Sequence, residues 1–145
     1  MLRLKFCMLL LLFLVQACTS ETDTPYTQPV TKAPTGLHLN SGKKWQADEA
    51  TTENISQMQQ TLNRYQPGAE NKPEAFQQLG RELRADLNKT FRDCTMTGQA
   101  HEVLHQFLIP IEQNIEVLEA NDPEAALAAQ LRIEEQLSNY ADYFE

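Results

Sequence analysis

The repeated spacing of apolar residues by three and four positions is the feature that most constrains the fold of this chain. It begins near Thr51 and continues to the last residues of the 145-residue sequence. Such spacing places the apolar side chains on one face of an α-helix, because a helix turns once in about 3.6 residues. Four segments show it, with apolar stripes formed by Ile55, Met58, Leu62 and Tyr65; by Phe76, Leu79, Leu83, Leu87, Phe91 and Cys94; by His101, Leu104, Leu108, Ile111, Ile115 and Leu118; and by Ile133, Leu137, Tyr140 and Phe144.

Short connections join these segments, and their ends carry helix signals. Thr51 or Thr52 is the expected N-cap of the first helix, and Asp122 followed by Pro123 begins the fourth. Gly98 permits a tight reversal between the second and third helices. Because helices joined by short loops pack beside each other, the sequence predicts an all-α domain over residues 37–145, folded as an antiparallel up-down-up-down four-helix bundle.

Three residues modify this simple picture of the bundle. Pro110 lies inside the third helix and is expected to kink it, because proline removes one backbone hydrogen bond. Trp45, the only tryptophan, is expected to cover one end of the core, since a large aromatic ring there buries much apolar surface. His38, which precedes it, is expected to be exposed.

The first seventeen residues are typical of a signal peptide. Arg3 and Lys5 precede an apolar run over residues 6–15, which is shorter than the about 20 residues of a membrane-spanning helix. The small residues before Cys18 resemble the lipobox of bacterial lipoproteins, in which this cysteine carries the lipid. The resemblance implies a signal peptide over 1–17 and an anchor in the bacterial cell envelope, and Thr19 implies the outer membrane, facing the periplasm. Residues 18–36 are then a lipidated, disordered tether.

The charge of the mature chain excludes one class of partner. Removing Arg3 and Lys5 from the 12 basic residues leaves 10 against 20 acidic residues, a formal charge of −10. Nucleic acid binding depends on clustered Lys and Arg that neutralise phosphates. We therefore expect no nucleic acid partner. The expected contacts are with the membrane, through the lipid, and with a redox or copper-transfer partner protein.

Cysteine usage singles out one thiol. Cys7 leaves with the signal peptide and Cys18 carries the lipid, so Cys94 is the remaining free thiol of an exported chain. It has no cysteine with which to form an intramolecular disulfide, although the exported space is oxidising. Such a thiol is expected to be reactive, to pair with another molecule or to bind a metal.

Soft metal donors cluster around Cys94, in the segment CTMTGQAHEVLH over residues 94–105. His101 and His105 are four residues apart and share a helix face, so both rings can approach one ion. Met96, or alternatively Met58 on the first helix, could supply a fourth donor. One thiolate, two imidazoles and a thioether suit copper better than zinc, for which thioether is a poor ligand. The sequence predicts a copper site formed by Cys94, His101, His105 and Met96.

Resemblances add three further expectations. The donor set resembles that of cupredoxins, although those proteins are β-sandwiches, and it implies copper handling or electron transfer. The domain is similar to small exported four-helix-bundle lipoproteins that carry a CTMxGxAHxxLH segment. It also resembles the cytochrome b562 group, which implies as an alternative a b-type haem between Met58 and His101 or His105. A metal-free structural or adaptor lipoprotein is another alternative, and no catalytic motif predicts an enzyme.

Overall fold

Helices account for most of the residues that the computed structural model describes, which are residues 36–65 and 72–145. The described part of the chain belongs to one compact unit. The predicted signal peptide, the lipidated Cys18 and nearly all of the tether lie outside these residues. The helices are α1 (Glu49–Arg64), α2 (Pro73–Asp93), α3 (Gly98–Glu119), α4 (Pro123–Ser138) and a single turn, α5 (Tyr140–Tyr143).

Packing between consecutive helices confirms the predicted all-α bundle. α1 packs on α2, α2 on α3 and α3 on α4, while α4 also touches α1 and α2. Within the described residues, β structure is limited to two isolated bridges. The up-down-up-down order of helix directions stays a prediction. In the same part of the chain, no helix combines the length and the apolar character needed to cross a membrane.

The start of α1 differs from the sequence prediction. Asp48, not Thr51 or Thr52, is the N-cap, and its carboxylate Oδ1 accepts a hydrogen bond from the Thr51 backbone N–H at 2.7 Å. Aspartate is as good a cap as threonine, and its charge also interacts favourably with the positive end of the helix dipole. The prediction for α4 is confirmed, because Asp122 caps the helix and Pro123 is its first residue.

The apolar stripes form the core largely as predicted. α3 buries more residues than its predicted stripe, with Val103 and Phe107 also fully enclosed. The prediction for the end of α2 is wrong at Phe91, which is 38% exposed while Thr90 is buried. Thr90 can take the inner position because its hydroxyl donates to the Asp86 backbone carbonyl at 3.0 Å, so its own buried oxygen has a partner.

Residues 37–47, which we call the strap, cover one end of the core. Trp45 is buried, as predicted, and its indole N–H donates to the His38 carbonyl at 2.6 Å. The backbone of Trp45 pairs with residues 143–145, through the bonds Trp45 N to Tyr143 O (2.7 Å) and Glu145 N to Trp45 O (2.9 Å). The strap is therefore fixed both by a buried ring and by backbone hydrogen bonds. His38 is exposed, as predicted.

Candidate metal centre

The reversal between α2 and α3 brings Cys94 and His101 together. Cys94 is the C-cap that follows α2, and Gly98 begins α3 with a φ of 63°, a left-handed conformation that favours glycine. Because the connection is only four residues long, the side chain of Cys94 meets the first turns of α3. Cys94 Sγ lies 3.6 Å from His101 Nδ1, and both side chains are partly buried.

His105 contacts the other side of the same imidazole. His105 Nε2 lies 3.0 Å from His101 Nε2, and the two ring centroids are 4.4 Å apart. This distance corresponds to a hydrogen bond between the rings, so one of these two nitrogens carries a proton and donates, and the other accepts the hydrogen bond. The three side chains thus form a row, Cys94–His101–His105, in which His101 uses a different nitrogen toward each neighbour.

Phe91 supports the outer end of this row. Its ring stacks on the His105 imidazole with a centroid distance of 5.4 Å and an angle of 25° between the planes. Partial burial of His105, and secondarily the charge of His101, lower the pKa of His105. Both effects favour a neutral ring, whose Nε2 can accept a hydrogen bond from a protonated His101 Nε2. The exposed position of Phe91 therefore has a local role that the apolar spacing did not predict.

The two methionines considered as metal donors, Met96 and Met58, occupy different environments. Met96 lies in the reversal between Cys94 and Gly98, is partly buried and packs against the core. Met58 is fully buried among the core residues of α1. Met96 therefore lies close to Cys94 along the chain and has a side chain that solvent still reaches, whereas Met58 is enclosed.

The distances favour Cys94 and His101 as the pair of donors to one ion. In a tetrahedral site with metal–sulfur and metal–nitrogen lengths such as those of zinc, sulfur and nitrogen ligands lie about 3.5 Å apart. The Sγ–Nδ1 distance of 3.6 Å agrees with that value. His105 approaches the opposite nitrogen of His101, so in this arrangement it could not donate to an ion placed between Cys94 Sγ and His101 Nδ1. Within residues 36–65 and 72–145, no group of three or more His, Cys, Asp or Glu side chains is placed to hold a metal ion.

A residue that sequence reasoning missed fixes the backbone beside Cys94. Asp48 Oδ2 accepts hydrogen bonds from the Thr95 backbone N–H at 2.6 Å and from the Thr95 hydroxyl at 2.8 Å. Burial acts to raise the pKa of Asp48, but hydrogen bonds from Thr51 and Thr95 outweigh it and hold that pKa well below its usual range. Asp48 is therefore a carboxylate at neutral pH.

Comparisons of the chain with protein-family models, with curated proteins and with solved structures found no match. The function proposed below therefore rests on the residues themselves and on their arrangement.

Proposed function

We propose that this protein is a membrane-tethered, exported copper-binding protein that handles copper or transfers electrons in the bacterial cell envelope. Cys94 and His101 are the principal ligands, and Met96 is the weaker, softer donor. The observation that carries the proposal is the 3.6 Å separation of Cys94 Sγ and His101 Nδ1 at a partly exposed position. Thiolate, imidazole and thioether together favour copper over the harder divalent ions.

His105 has a supporting role in this proposal. Histidines that ligate metals usually donate their second ring N–H to an acceptor, which fixes the tautomer and the ring orientation. In this proposal the acceptor is His105 Nε2, which lies 3.0 Å from His101 Nε2. A lone pair on His101 Nδ1 then points toward Cys94. A rotation of the His101 ring would be needed before His105 could share the same ion, as the sequence alone had predicted.

The packing around Met58 favours copper over haem. Met58 is fully buried in the core, so a haem ligated by it would have to displace several apolar side chains. The copper site needs no such change, because its donors lie at the edge of the bundle. Opening a close-packed core costs several kcal/mol for each large side chain displaced, on the order of 2–5.

Copper titration tests this function. We expect the non-lipidated chain to bind about one copper ion and, as Cu(II), to show an intense visible thiolate-to-copper charge-transfer band. Cys94→Ser should abolish the band, and His101→Ala should weaken binding more than His105→Ala, for which a loss of about 10–100-fold is expected of a supporting residue. Met96→Leu should retain copper but shift the band. His38→Ala is the matched control, because His38 contacts Trp45 and not the donors, and it should bind normally.

Oxidation of the thiol by Cu(II) must be separated from binding, so the titration is repeated with Cu(I) without oxygen. If neither ion binds the native chain more tightly than the Cys94→Ser, His101→Ala double variant, the proposal is wrong and the adaptor alternative is preferred. Equal losses of copper affinity in His101→Ala and His105→Ala would instead indicate that His105 is a direct ligand.

Membrane anchoring by lipid at Cys18 is the second part of the proposal. Cys18→Ser should abolish incorporation of labelled fatty acid and leave an uncleaved precursor, because the thiol is the acceptor of the lipid. Cys7→Ser is the matched control, since Cys7 lies within the predicted signal peptide. It should be processed normally. Unchanged lipid incorporation in Cys18→Ser would contradict the lipoprotein assignment.

A further inference from the structure

Asp48 joins two parts of the domain through a single carboxylate. Its Oδ1 accepts from the Thr51 N–H at the start of α1, at 2.7 Å. Its Oδ2 accepts two hydrogen bonds from Thr95, from the backbone N–H at 2.6 Å and from the hydroxyl at 2.8 Å. Hydrogen bonds to an ionised acceptor are shorter and stronger than those between neutral groups. The start of α1 is therefore bonded directly to the segment between α2 and α3.

These bonds act on the peptide unit that carries the thiol. Thr95 follows Cys94, so fixing the Thr95 N–H fixes the planar peptide group that joins the two residues. On the other side of Cys94, Asp93 Oδ2 accepts a hydrogen bond from the Asn54 side-chain amide at 3.1 Å. Asn54 is a buried residue of α1. The residues on both sides of Cys94 are thus bonded to the same end of α1.

The rest of the connection has fewer constraints. The Thr97 side chain makes no capping bond to α3, and Gly98 has open space around the position where a Cβ would lie. The distance between Cys94 Sγ and His101 Nδ1 therefore depends strongly on how the backbone at Thr95 is held. Cys94 is also held on its helix side, because its N–H donates to the Thr90 carbonyl at 3.1 Å, so loss of the Thr95 bonds would release the side of Cys94 that faces the connection.

We propose that Asp48 is a positioning residue of the metal centre, which sets the place of the Cys94 thiol relative to the His101 imidazole through its two hydrogen bonds from Thr95. The expected effect of Asp48 on copper affinity rests on the proposed function. The placement of the thiol itself does not depend on metal. Asp48 makes its hydrogen bonds to Thr51 and Thr95 and not to the candidate metal ligands, so it acts on Cys94 through Thr95.

Two variants with matched capping roles separate positioning from stability. Asp48 and Asp122 are both N-caps, and Asp122 Oδ1 accepts from the backbone N–H groups of Glu124 and Ala125 at 3.2 and 3.1 Å. Asp48→Ala and Asp122→Ala should therefore weaken their helices to a similar extent. Only Asp48→Ala also releases Thr95. Thr95→Val gives a third variant, which removes the hydroxyl bond and leaves the cap of α1 intact.

Copper affinity is the first measurement, made on the full chain in detergent at a temperature where every variant is folded. We expect Asp48→Ala to lower copper affinity by about 10–100-fold, the usual effect of losing a residue that orients a ligand. Thr95→Val should lower it less, and Asp122→Ala should leave it within about twofold of the native value, because distant sites act independently. Asp48→Asn, which keeps one acceptor oxygen, should fall between Asp48→Ala and the native chain.

Alkylation of Cys94 is the second measurement and needs no metal. The full chain is treated with iodoacetamide in the presence of a chelator, and the modified Cys94 peptide is quantified by mass spectrometry. Asp48→Ala removes the hydrogen bonds from Thr51 and Thr95, which should raise the population of locally open states. We therefore expect Cys94 to be alkylated about fivefold faster in this variant. Asp122→Ala should react at the native rate.

The two measurements test the proposed function and the positioning role of Asp48 separately. If the native chain binds no copper, the proposed function is wrong, and the alkylation rates alone decide whether Asp48 positions the thiol. If Asp48→Ala and Asp122→Ala show equal alkylation rates, Asp48 is only a helix cap and the positioning proposal is overturned. Native alkylation and native copper affinity in Thr95→Val, together with a change in Asp48→Ala, would locate the effect in the backbone bond to Thr95 and would support the proposal.

Discussion

Replacing Trp45 with alanine should lower the free energy of unfolding by about 3–5 kcal/mol, the largest effect that we expect from a single substitution in this domain. The side chain is only 6% exposed and covers the end of the core next to Phe144. Alanine would leave a cavity at that position, and it would also free the His38 carbonyl that accepts the indole N–H. Denaturant unfolding followed by helical circular dichroism measures the change, since the only tryptophan is lost.

Trp45→Phe separates the two contributions of this side chain. Phenylalanine keeps most of the apolar ring but cannot donate to the His38 carbonyl, so we expect a loss of about 1–3 kcal/mol. An equally small loss in Trp45→Ala would show that the strap adds little to stability. Burial of the Trp45 ring would then contribute little to the free energy of unfolding.

Ile111 and Ile109 form a matched pair for the second large effect. Both are isoleucines of α3 and lie two positions apart, but Ile111 is 0% exposed and Ile109 is 48% exposed. Ile111→Ala should lower the free energy of unfolding by about 2–5 kcal/mol, because it leaves a cavity between helices. Ile109→Ala should cost about 0.5 kcal/mol or less. The helix propensities of the two substitutions are the same, so the difference reports burial alone.

Leu83 extends this test to α2. It is also fully buried, and Leu83→Ala is expected to fall in the same range of about 2–5 kcal/mol. Equal melting of the Ile111 and Ile109 variants would contradict the assignment of the buried face of α3. It would mean that α3 is rotated about its own axis relative to the arrangement described here.

The helices were predictable from sequence because their signals are local. A stripe that repeats with the period of the helix, together with the run Asp122–Pro123–Glu124, is readable within a few residues. The N-cap of α1 was not predictable in this way, because Asp48, Thr51 and Thr52 are all residue types that cap helices well. Only the backbone geometry selects among them. Phe91 shares the stripe spacing with Leu87, but Thr90 occupies the inner position near the end of α2.

The candidate metal centre was predictable in part for the same reason. Cys94 and His101 are seven residues apart with a glycine between them, so the sequence alone indicated that they meet. Which nitrogen of His101 faces which neighbour depends on the rotation of one side chain, and no sequence pattern encodes it. The bonds from Thr95 to Asp48 connect positions 47 residues apart and depend on how α1 lies against α2. Such contacts follow from the tertiary structure and carry no local signal.

The pairing of the strap with residues 143–145 has a consequence for the order in which the domain assembles. Helices adjacent in sequence can pack as soon as each hairpin forms, because the loops that join them are short. The strap must instead find a partner about 100 residues away, as in the bond from the Gln46 side-chain amide to the Glu145 carboxylate. This closure gains nothing until α4 and α5 are in place, so it belongs to the last step of folding and the first step of opening. Because Asp48 follows the strap directly, the thiol is fixed in place only when the whole domain has closed.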